Sequence, residues 1–389
     1  MQLVSVFGER RSGGRLTPTM KIRGAVFRCD SGHSIIEDLD LSGPEPHEVL
    51  VRIVATGVCH TDLKAAGPGP CPKPVVLGHE GAGVVEAVGA NVSKVAVGDH
   101  VVMTFGSCGS CRSCEASQPA YCHQGFDYCF TCRPPGARSY LLSGRGPVNG
   151  YFFSQSSFAT YAIGLERSVV KIPKDVPLEI MGPLGCGVQT GAGAILNELN
   201  VQPDQTLAIF GVGVLGMSAV MAARIAGVRR VIAIDIHPHR VALARDLGAH
   251  EGIVVNQGSV VAALMGLSPG GVDVALDTTG VMSVMSQVLD CLAPRGEAGF
   301  VATPWDGSRL PVDVRHLLQG RRIRGIIEGN SNPDIFIPQL VDYWRRGLFP
   351  FDQLISFYGF DEIDKAFHDA EAGICVKPVL RMPPTNGCG

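Results

Sequence analysis

Four cysteines fall within fifteen residues, Cys108, Cys111, Cys114 and Cys122, and the spacing C-x2-C-x2-C-x7-C lets one short loop close four thiolates around a tetrahedral Zn²⁺. Four sulfurs leave no coordination position open, so the chemistry expected of this quartet is structural: it fixes the loop 105–125 without touching a substrate. The Gly and Ser residues between the ligands suit the turns such a knot requires. Four thiolates also hold iron–sulfur clusters, but the run matches neither of the familiar cluster spacings.

A second metal is suggested by residues far apart in the chain. Cys59 lies in Val58-Cys59-His60-Thr61-Asp62, His79 in Gly78-His79-Glu80-Gly81, and Cys186 in Gly185-Cys186-Gly187. Two thiolates and one imidazole leave the fourth tetrahedral position open, the mark of a catalytic zinc. Taken singly each has a plainer reading, a small core hydrophobe for Cys and a hydrogen-bonded structural residue for His. Asp62 and Glu80 sit beside the ligands, as acceptors that orient them or, for Glu80, as a transient fourth ligand.

The third motif is Gly211-Val212-Gly213-Val214-Leu215-Gly216, which follows a strand-like run, Thr206 to Phe210, and opens an Ala-rich helix reaching Ala226. In that setting it is a dinucleotide fingerprint: Gly211 for the turn, Gly213 for close approach to a pyrophosphate, Gly216 for helix–strand packing. The free N–H groups at the helix start, including those of Val214 and Leu215, attract phosphate. Asp235 ends the next strand nineteen residues after Gly216, where it would accept hydrogen bonds from both ribose hydroxyls and repel a 2′-phosphate, favouring NAD(H) over NADP. Arg240 alone would partly tolerate that phosphate.

The elements that must position these residues form two groups. From Met20 to about Cys186, short alternating runs (Glu48 to Ala55, Ala82 to Val88, His100 to Met103) separated by Gly and Pro clusters read as a small antiparallel barrel. From Val188 to about Ile326 strands alternate with helices, giving an α/β doubly wound parallel sheet. The tail, with strands Phe351 to Phe360 and Val376 to Met382 around a helix Phe360 to Ala372, returns to the first domain. The expected division is therefore 20–187 with 327–389, and 188–326. Residues 1–19, with Arg10, Arg11 and Arg15 among Ser and Gly, are expected to be a disordered extension.

Composition excludes more than it selects. A chain of 389 residues with 46 % apolar and 18 % charged residues is globular, and no apolar stretch approaches the length that spans a membrane. A net charge of −3 with both signs interspersed provides no basic field for nucleic acid. Thirteen cysteines without a secretory signal fit metal-binding thiols in a reducing compartment, so a cytoplasmic location is expected.

In order and spacing these motifs resemble the zinc-dependent alcohol dehydrogenases of the medium-chain dehydrogenase/reductase superfamily, over nearly the whole chain from Met20 to Met382. Cys59-His60-Thr61-Asp62 and Ser154-Gln155-Ser156-Ser157-Phe158-Ala159 look most like the aryl- or benzyl-alcohol dehydrogenase branch. The resemblance implies a GroES-like catalytic domain joined to a Rossmann domain, a cleft between them where substrate and nicotinamide meet, two zinc ions per subunit, and a homodimer or homotetramer. It also implies a substrate pocket lined by Phe152 and Phe153, with Phe105 as a further ring; packed core aromatics are the alternative.

The chemistry is that of a proton and a hydride leaving an alcohol. Zn²⁺ lowers the pKa of bound water from about 16 to near 7, and a bound alcohol is expected to respond similarly. Thr61 is placed to accept the alcohol proton, with His60 able to join the path; as a β-branched strand-end residue it would need no such role. Lys64 stands where many members of the family have His, which leaves the outer end of the relay to Lys64 or to water. Two other functions share these motifs, a thiol-dependent formaldehyde dehydrogenase of the same fold and a noncatalytic zinc protein using the Cys108 lobe for interactions. Cys129 and Cys132 receive no metal because the neighbouring quartet is complete; a redox thiol pair is the alternative.

Overall fold

The computed structural model describes residues 8–384, apart from 13–14, 136, 138–139, 256–257, 303 and 305–306. By its internal contacts the chain forms two units: Met1–Cys186 with Asn332–Pro338 and Leu354–Gly389, and Gly187–Ser331 with Gln339–Gln353.

The first unit is built on two sheets of mainly antiparallel strands. One runs in the order Gly8–Ser12, Arg15–Phe27, Ile35–Ser42, Leu141–Ser143, Gly146–Val148. The other orders Val169–Ile172, His100–Met103, Gly81–Val88, Glu48–Gly57, Lys377–Arg381 and Ile355–Gly359. Strand Glu48–Gly57 is buried at nearly every position, with Gly81–Val88 on one side, Lys377–Arg381 on the other and Tyr161–Leu165 paired to it as well. Its Val/Ile-rich sequence suits a pleated surface covered on both faces. Two apolar clusters fill this unit, one around Phe27, Phe152 and Phe158, the other around Val49, Val51 and Met103.

The second unit holds six parallel strands in the order Glu251–Val254, Arg230–Asp235, Thr206–Phe210, Val272–Asp277, Leu292–Phe300, Arg322–Gly325. Numbered along the chain this is 3-2-1-4-5-6, the order that places a dinucleotide at the carboxyl end of the first strand, where the order reverses. Leu207, Ala208, Ile209 and Phe210 are all essentially buried, as a central parallel strand with helices on both faces demands.

The structure departs from expectation in several places. Gly8–Ser12 pairs antiparallel with Arg15–Thr19, so the segment expected to be a disordered extension is a hairpin from Gly8 onward; residues 1–7 lie outside those described. The strand from Met20 begins already at Arg15, and the hairpin extends its backbone ladder. The first helix of the second unit begins at Gly187 and turns into a π-helical segment at Ala194–Glu198. Phe351–Leu354 is a helical turn, with the strand confined to Ile355–Gly359. Residues 339–353, read as part of the returning tail, lie in the second unit.

Candidate active site and metal centres

Cys59 caps the short helix His60–Ala66, its own backbone still extended, and Asp62 in the first turn turns back on it. The Asp62 carboxylate, wholly buried, accepts three hydrogen bonds: from the Cys59 amide at 3.0 Å, from the Gly78 amide at 3.1 Å and from His79 Nδ1 at 2.9 Å. One carboxylate thus ties both ligand-bearing segments together. Because a carboxylate only accepts, the His79 proton sits on Nδ1 and the Nε2 lone pair is left for a cation. That Nε2 is buried and has no hydrogen-bond partner.

Cys186 arrives from the helical turn Gly182–Gly185, anchored where Thr104 Oγ1 donates to the Gly185 carbonyl at 2.7 Å. Gln155 donates to the carbonyls of His79 at 2.8 Å and Thr104 at 3.2 Å, so the strands carrying the two segments share one clamp. The outcome is that ligand atoms of Cys59, His79, Glu80 and Cys186 all lie within 4.8 Å of one another. A buried Nε2 aimed at two sulfurs is the donor set of a borderline-soft dication such as Zn²⁺, and the residues fit that ion.

Glu80 carries a partner that sequence reasoning missed. Lys377, on the strand Lys377–Arg381, is 1 % exposed and stands 2.5 Å from Glu80 Oε2. It also donates to the Val58 carbonyl at 2.9 Å, one residue before the ligand Cys59. Burial pushes the Glu80 carboxyl up to about 7, against the opposing pull of Lys377. The only signal in the sequence is a lone Lys inside the apolar run Val376 to Met382.

The imidazole of His79 is roofed by rings. Its centroid is 4.5 Å from that of Phe153 and 5.5 Å from that of Phe152, the latter edge-on. Phe130, from the helix Gly125–Phe130, packs on both at 5.1 and 6.1 Å and was not expected there. Tyr151, Phe153, Ser154 and Ser156 all have positive φ, from 51° to 61°. Such a run in non-glycine residues is held by its surroundings: Ser156 Oγ accepts from the Phe152 amide and donates to the Val76 carbonyl, and Ser154 Oγ donates to Tyr128. Phe105 is buried in the same apolar cluster as Phe152 and Phe153.

Of the expected proton path, Thr61 Oγ1 lies 3.8 Å from Cys59 Sγ and is half-buried. His60 and Lys64 are exposed on the same short helix, and neither joins the cluster.

The second group of ligand atoms within 4.8 Å is the quartet Cys108, Cys111, Cys114 and Cys122. A tetrahedron with Zn–S bonds of 2.3 Å has sulfurs about 3.8 Å apart. Cys108 and Cys114 are 3.9 Å apart, and Cys111 and Cys114 3.6 Å. Backbone amides of Cys108, Cys111 and His123 donate to these sulfurs, which suits thiolates rather than thiols. Four negative sulfurs this close repel one another strongly, so the quartet also fits a cation.

In the second unit Gly211 has φ +83°, and a Cβ there would stand 2.7 Å from Thr279 Cγ2. A Cβ on Gly216 would be 2.0 Å from the Gly211 carbonyl, whereas Gly213 faces open space. Gly211 thus makes the turn, Gly216 lets helix and strand pack closely, and Gly213 leaves the start of the helix uncovered. Val212, Val214 and Leu215 complete the turn into the helix Val214–Ile225, whose Gly213 cap lends no side chain to the free amides. Asp235 is buried, accepting from Val212 N at 2.8 Å and from His237 N at 2.9 Å, so its carboxylate is fixed against the turn. Arg240 is half-buried in the first turn of the helix Pro238–Leu247. Thr278 Oγ1 donates to the Gly211 carbonyl at 2.8 Å, a buttress not expected from the sequence.

With this geometry in place, similarity to known proteins is informative. Residues 45–174 match the alcohol dehydrogenase GroES-like domain, and residues 214–342 the zinc-binding dehydrogenase domain. The chain is 44 % identical over 361 residues to a geraniol dehydrogenase of Castellaniella defragrans, covering 92 % of this chain and 97 % of that protein. Among solved structures, an alcohol dehydrogenase zinc-binding domain protein from Burkholderia ambifaria superposes with a TM-score of 0.91 at 49 % identity, over 94 % of this chain and all of that one. The benzyl alcohol dehydrogenase of Acinetobacter calcoaceticus gives a TM-score of 0.90 at 43 % identity, over 93 % of this chain and 99 % of its own. A metal-ligand cluster in a GroES-like unit, a dinucleotide fingerprint in a parallel sheet and relatives spanning nearly their full length converge on one assignment: the chain belongs to the zinc-dependent alcohol dehydrogenases of the medium-chain dehydrogenase/reductase superfamily.

Proposed function

We propose that this enzyme reversibly oxidises primary allylic or aromatic alcohols to aldehydes with NAD⁺, using a catalytic zinc held by Cys59, His79 and Cys186 and a structural zinc held by Cys108, Cys111, Cys114 and Cys122. The observation that carries the reading is the unpartnered, buried Nε2 of His79 directed at two thiols under the rings of Phe152 and Phe153. Zinc at that position supplies Lewis acidity, making a hydroxyl proton labile at neutral pH. Asp62 keeps His79 in the tautomer able to bind it. The rings of Phe130, Phe152 and Phe153 exclude water and take up the flat apolar body of the substrate, which rewards benzyl or allylic alcohols over ethanol by burial. Thr61 Oγ1, beside the Cys59 sulfur, takes the departing proton, and the exposed helix face bearing His60 and Lys64 passes it to solvent. Glu80, paired with Lys377, is held in reserve as a further ligand. The names of the two relatives, geraniol and benzyl alcohol dehydrogenase, support this substrate class.

Asp235 selects NAD(H). Association is expected through the edge strand Arg322–Gly325, where exposed Ile323 and Ile327, and Leu317 and Leu318 on the preceding helix, offer an apolar face to a second copy. No helix among the described residues is long and apolar enough to cross a membrane, and a cytoplasmic location fits the reduced thiols that both metal sites need.

The test is a panel of benzyl, cinnamyl, short aliphatic and thiol-adduct substrates with NAD⁺ and NADP⁺, run beside metal analysis. Two zinc ions per chain and a preference for the aromatic and allylic alcohols are expected. Cys59→Ala should retain one zinc and the fold while losing turnover, whereas Cys111→Ser should lose stability first. Full turnover by Cys59→Ala, or a requirement for a thiol cosubstrate, would overturn the assignment.

A further inference from the structure

Cys71 and Cys132 belong to neither metal site, yet the fold brings them together. Cys71 precedes the strand Val75–Val76, and Cys132 follows the helix Gly125–Phe130 by two residues. Both thiols point at one carbonyl oxygen, that of Phe130, Cys71 at 3.3 Å and Cys132 at 3.8 Å. They are 4 % and 1 % exposed. A hydrogen bond from one thiol to the other holds Cys71 below the ordinary thiol range and raises Cys132, so the pair offers one nucleophilic sulfur and one that keeps its proton. Cys129, the neighbour of Cys132 in sequence, directs its sulfur elsewhere, to the Gly106 carbonyl at 3.8 Å.

The Cys132 end of the pair borders a cavity through which a solute can approach. Cys132 lines a cavity of about 130 Å³ together with Arg133, Tyr140, Asn149 and Tyr151. The Tyr140 hydroxyl is buried and has no hydrogen-bond partner, which gives a small polar molecule a reason to enter. A volume of that size holds several water-sized molecules.

We propose that Cys71 and Cys132 form an oxidisable dithiol, a covalent modification site that a small hydroperoxide converts into an intramolecular disulfide. The Cys71 thiolate attacks the outer peroxide oxygen; the O–O bond breaks, and the departing oxygen leaves as water or an alcohol after taking up a proton. Cys71 is then a sulfenic acid. The Cys132 sulfur attacks it, the S–O bond breaks, the S–S bond forms, and the hydroxyl departs as water with the Cys132 proton. Two thiols lose two electrons and two protons, and the peroxide is reduced by the same two electrons. Both sulfurs reach the Phe130 carbonyl, and the Phe130 ring packs on Phe152 and Phe153, so the bridge pins the aromatic wall above His79.

The site stands independently of the proposed substrate. Zinc-loaded full-length protein, reduced and freed of reductant, is treated with equimolar hydrogen peroxide, alkylated in denaturant, digested and mapped by mass spectrometry. The expected result is loss of the Cys71 and Cys132 thiols and appearance of a linked peptide two hydrogens lighter than the reduced pair, reversed by dithiothreitol, with zinc content unchanged. In Cys132→Ser the reaction should stop at a Cys71 sulfenic acid trapped by dimedone. Complete alkylation of both thiols while other cysteines oxidise, or a Cys129–Cys132 link in place of the Cys71 link, would overturn the proposal; the map of the unaltered chain decides even if the variant fails to fold.

Discussion

Lys377 stands beside the candidate metal centre without being one of its ligands. It is buried, and its ammonium group answers the Glu80 carboxylate and the Val58 carbonyl. Breaking a buried pair by removing one partner leaves an uncompensated charge, at a cost of about 3–5 kcal/mol. Lys377→Met should therefore destabilise the fold by that order in chemical denaturation, and Lys377→Met with Glu80→Gln should recover part of the loss. Equal losses in the single and double variants would mean that the two side chains do not act as a pair. At this scale the sequence was legible wherever chemistry dictates residue type. Cys59, His79 and Cys186 stood out by their order and context together rather than singly, and the structure brings their ligand atoms together with that of Glu80. Lys377 was not, since a lysine is ordinarily an exposed residue and only a tertiary partner makes it otherwise.

Secondary structure was readable where pattern is strong and local. The strand Thr206–Phe210 stands as expected, because a β-branched apolar run bounded by a turn has few alternatives. The left-handed run around Phe153 was invisible, since none of Tyr151, Phe153, Ser154 and Ser156 is a residue that favours positive φ; long-range bonds such as that from Ser156 to Val76 impose it. Elements are also pinned by side chains across a pairing. Arg28, just after the strand Arg15–Phe27, grips Glu37 of the strand Ile35–Ser42 with two bonds of 2.6 Å. Arg28 holds the Glu37 carboxyl below its ordinary value of 4.5, outweighing the opposing effect of burial. A carboxyl with a depressed folded pKa contributes stability that is present above the unfolded value and lost as pH falls through the folded one. Glu37→Gln should thus be less stable than the unaltered chain at pH 7, and the difference should shrink as pH drops below about 4.5. Thermal unfolding of both proteins from pH 3 to 7 checks this, and a gap constant across the range would remove Glu37 from the account.

Across the whole molecule the two kinds of chemistry fall to different units: every candidate zinc ligand, from Cys59 to Cys186, lies in the first, and the glycine fingerprint with Asp235 in the second. The order of motifs along the chain made that division legible in outline. The assignment of residues 339–353 to the second unit was not, because membership there is decided by contacts across the chain and not by any local pattern. The separation makes a sharp expectation for Asp235→Asn. Val212 N bonds Oδ2 and His237 N bonds Oδ1, so Asn keeps an acceptor for only one of the two amides and loses the charge; one anchor of the turn goes, the proposed charge-assisted bonds to a ribose, each about 1.5–3 kcal/mol, weaken, and repulsion of a 2′-phosphate disappears. The kcat/KM for NAD⁺ should fall by about 10- to 100-fold and that for NADP⁺ should hold or rise, with zinc content unchanged. An unaltered ratio of the two specificity constants would show that selection lies elsewhere, and loss of zinc would show that the two units do not divide the work in this way.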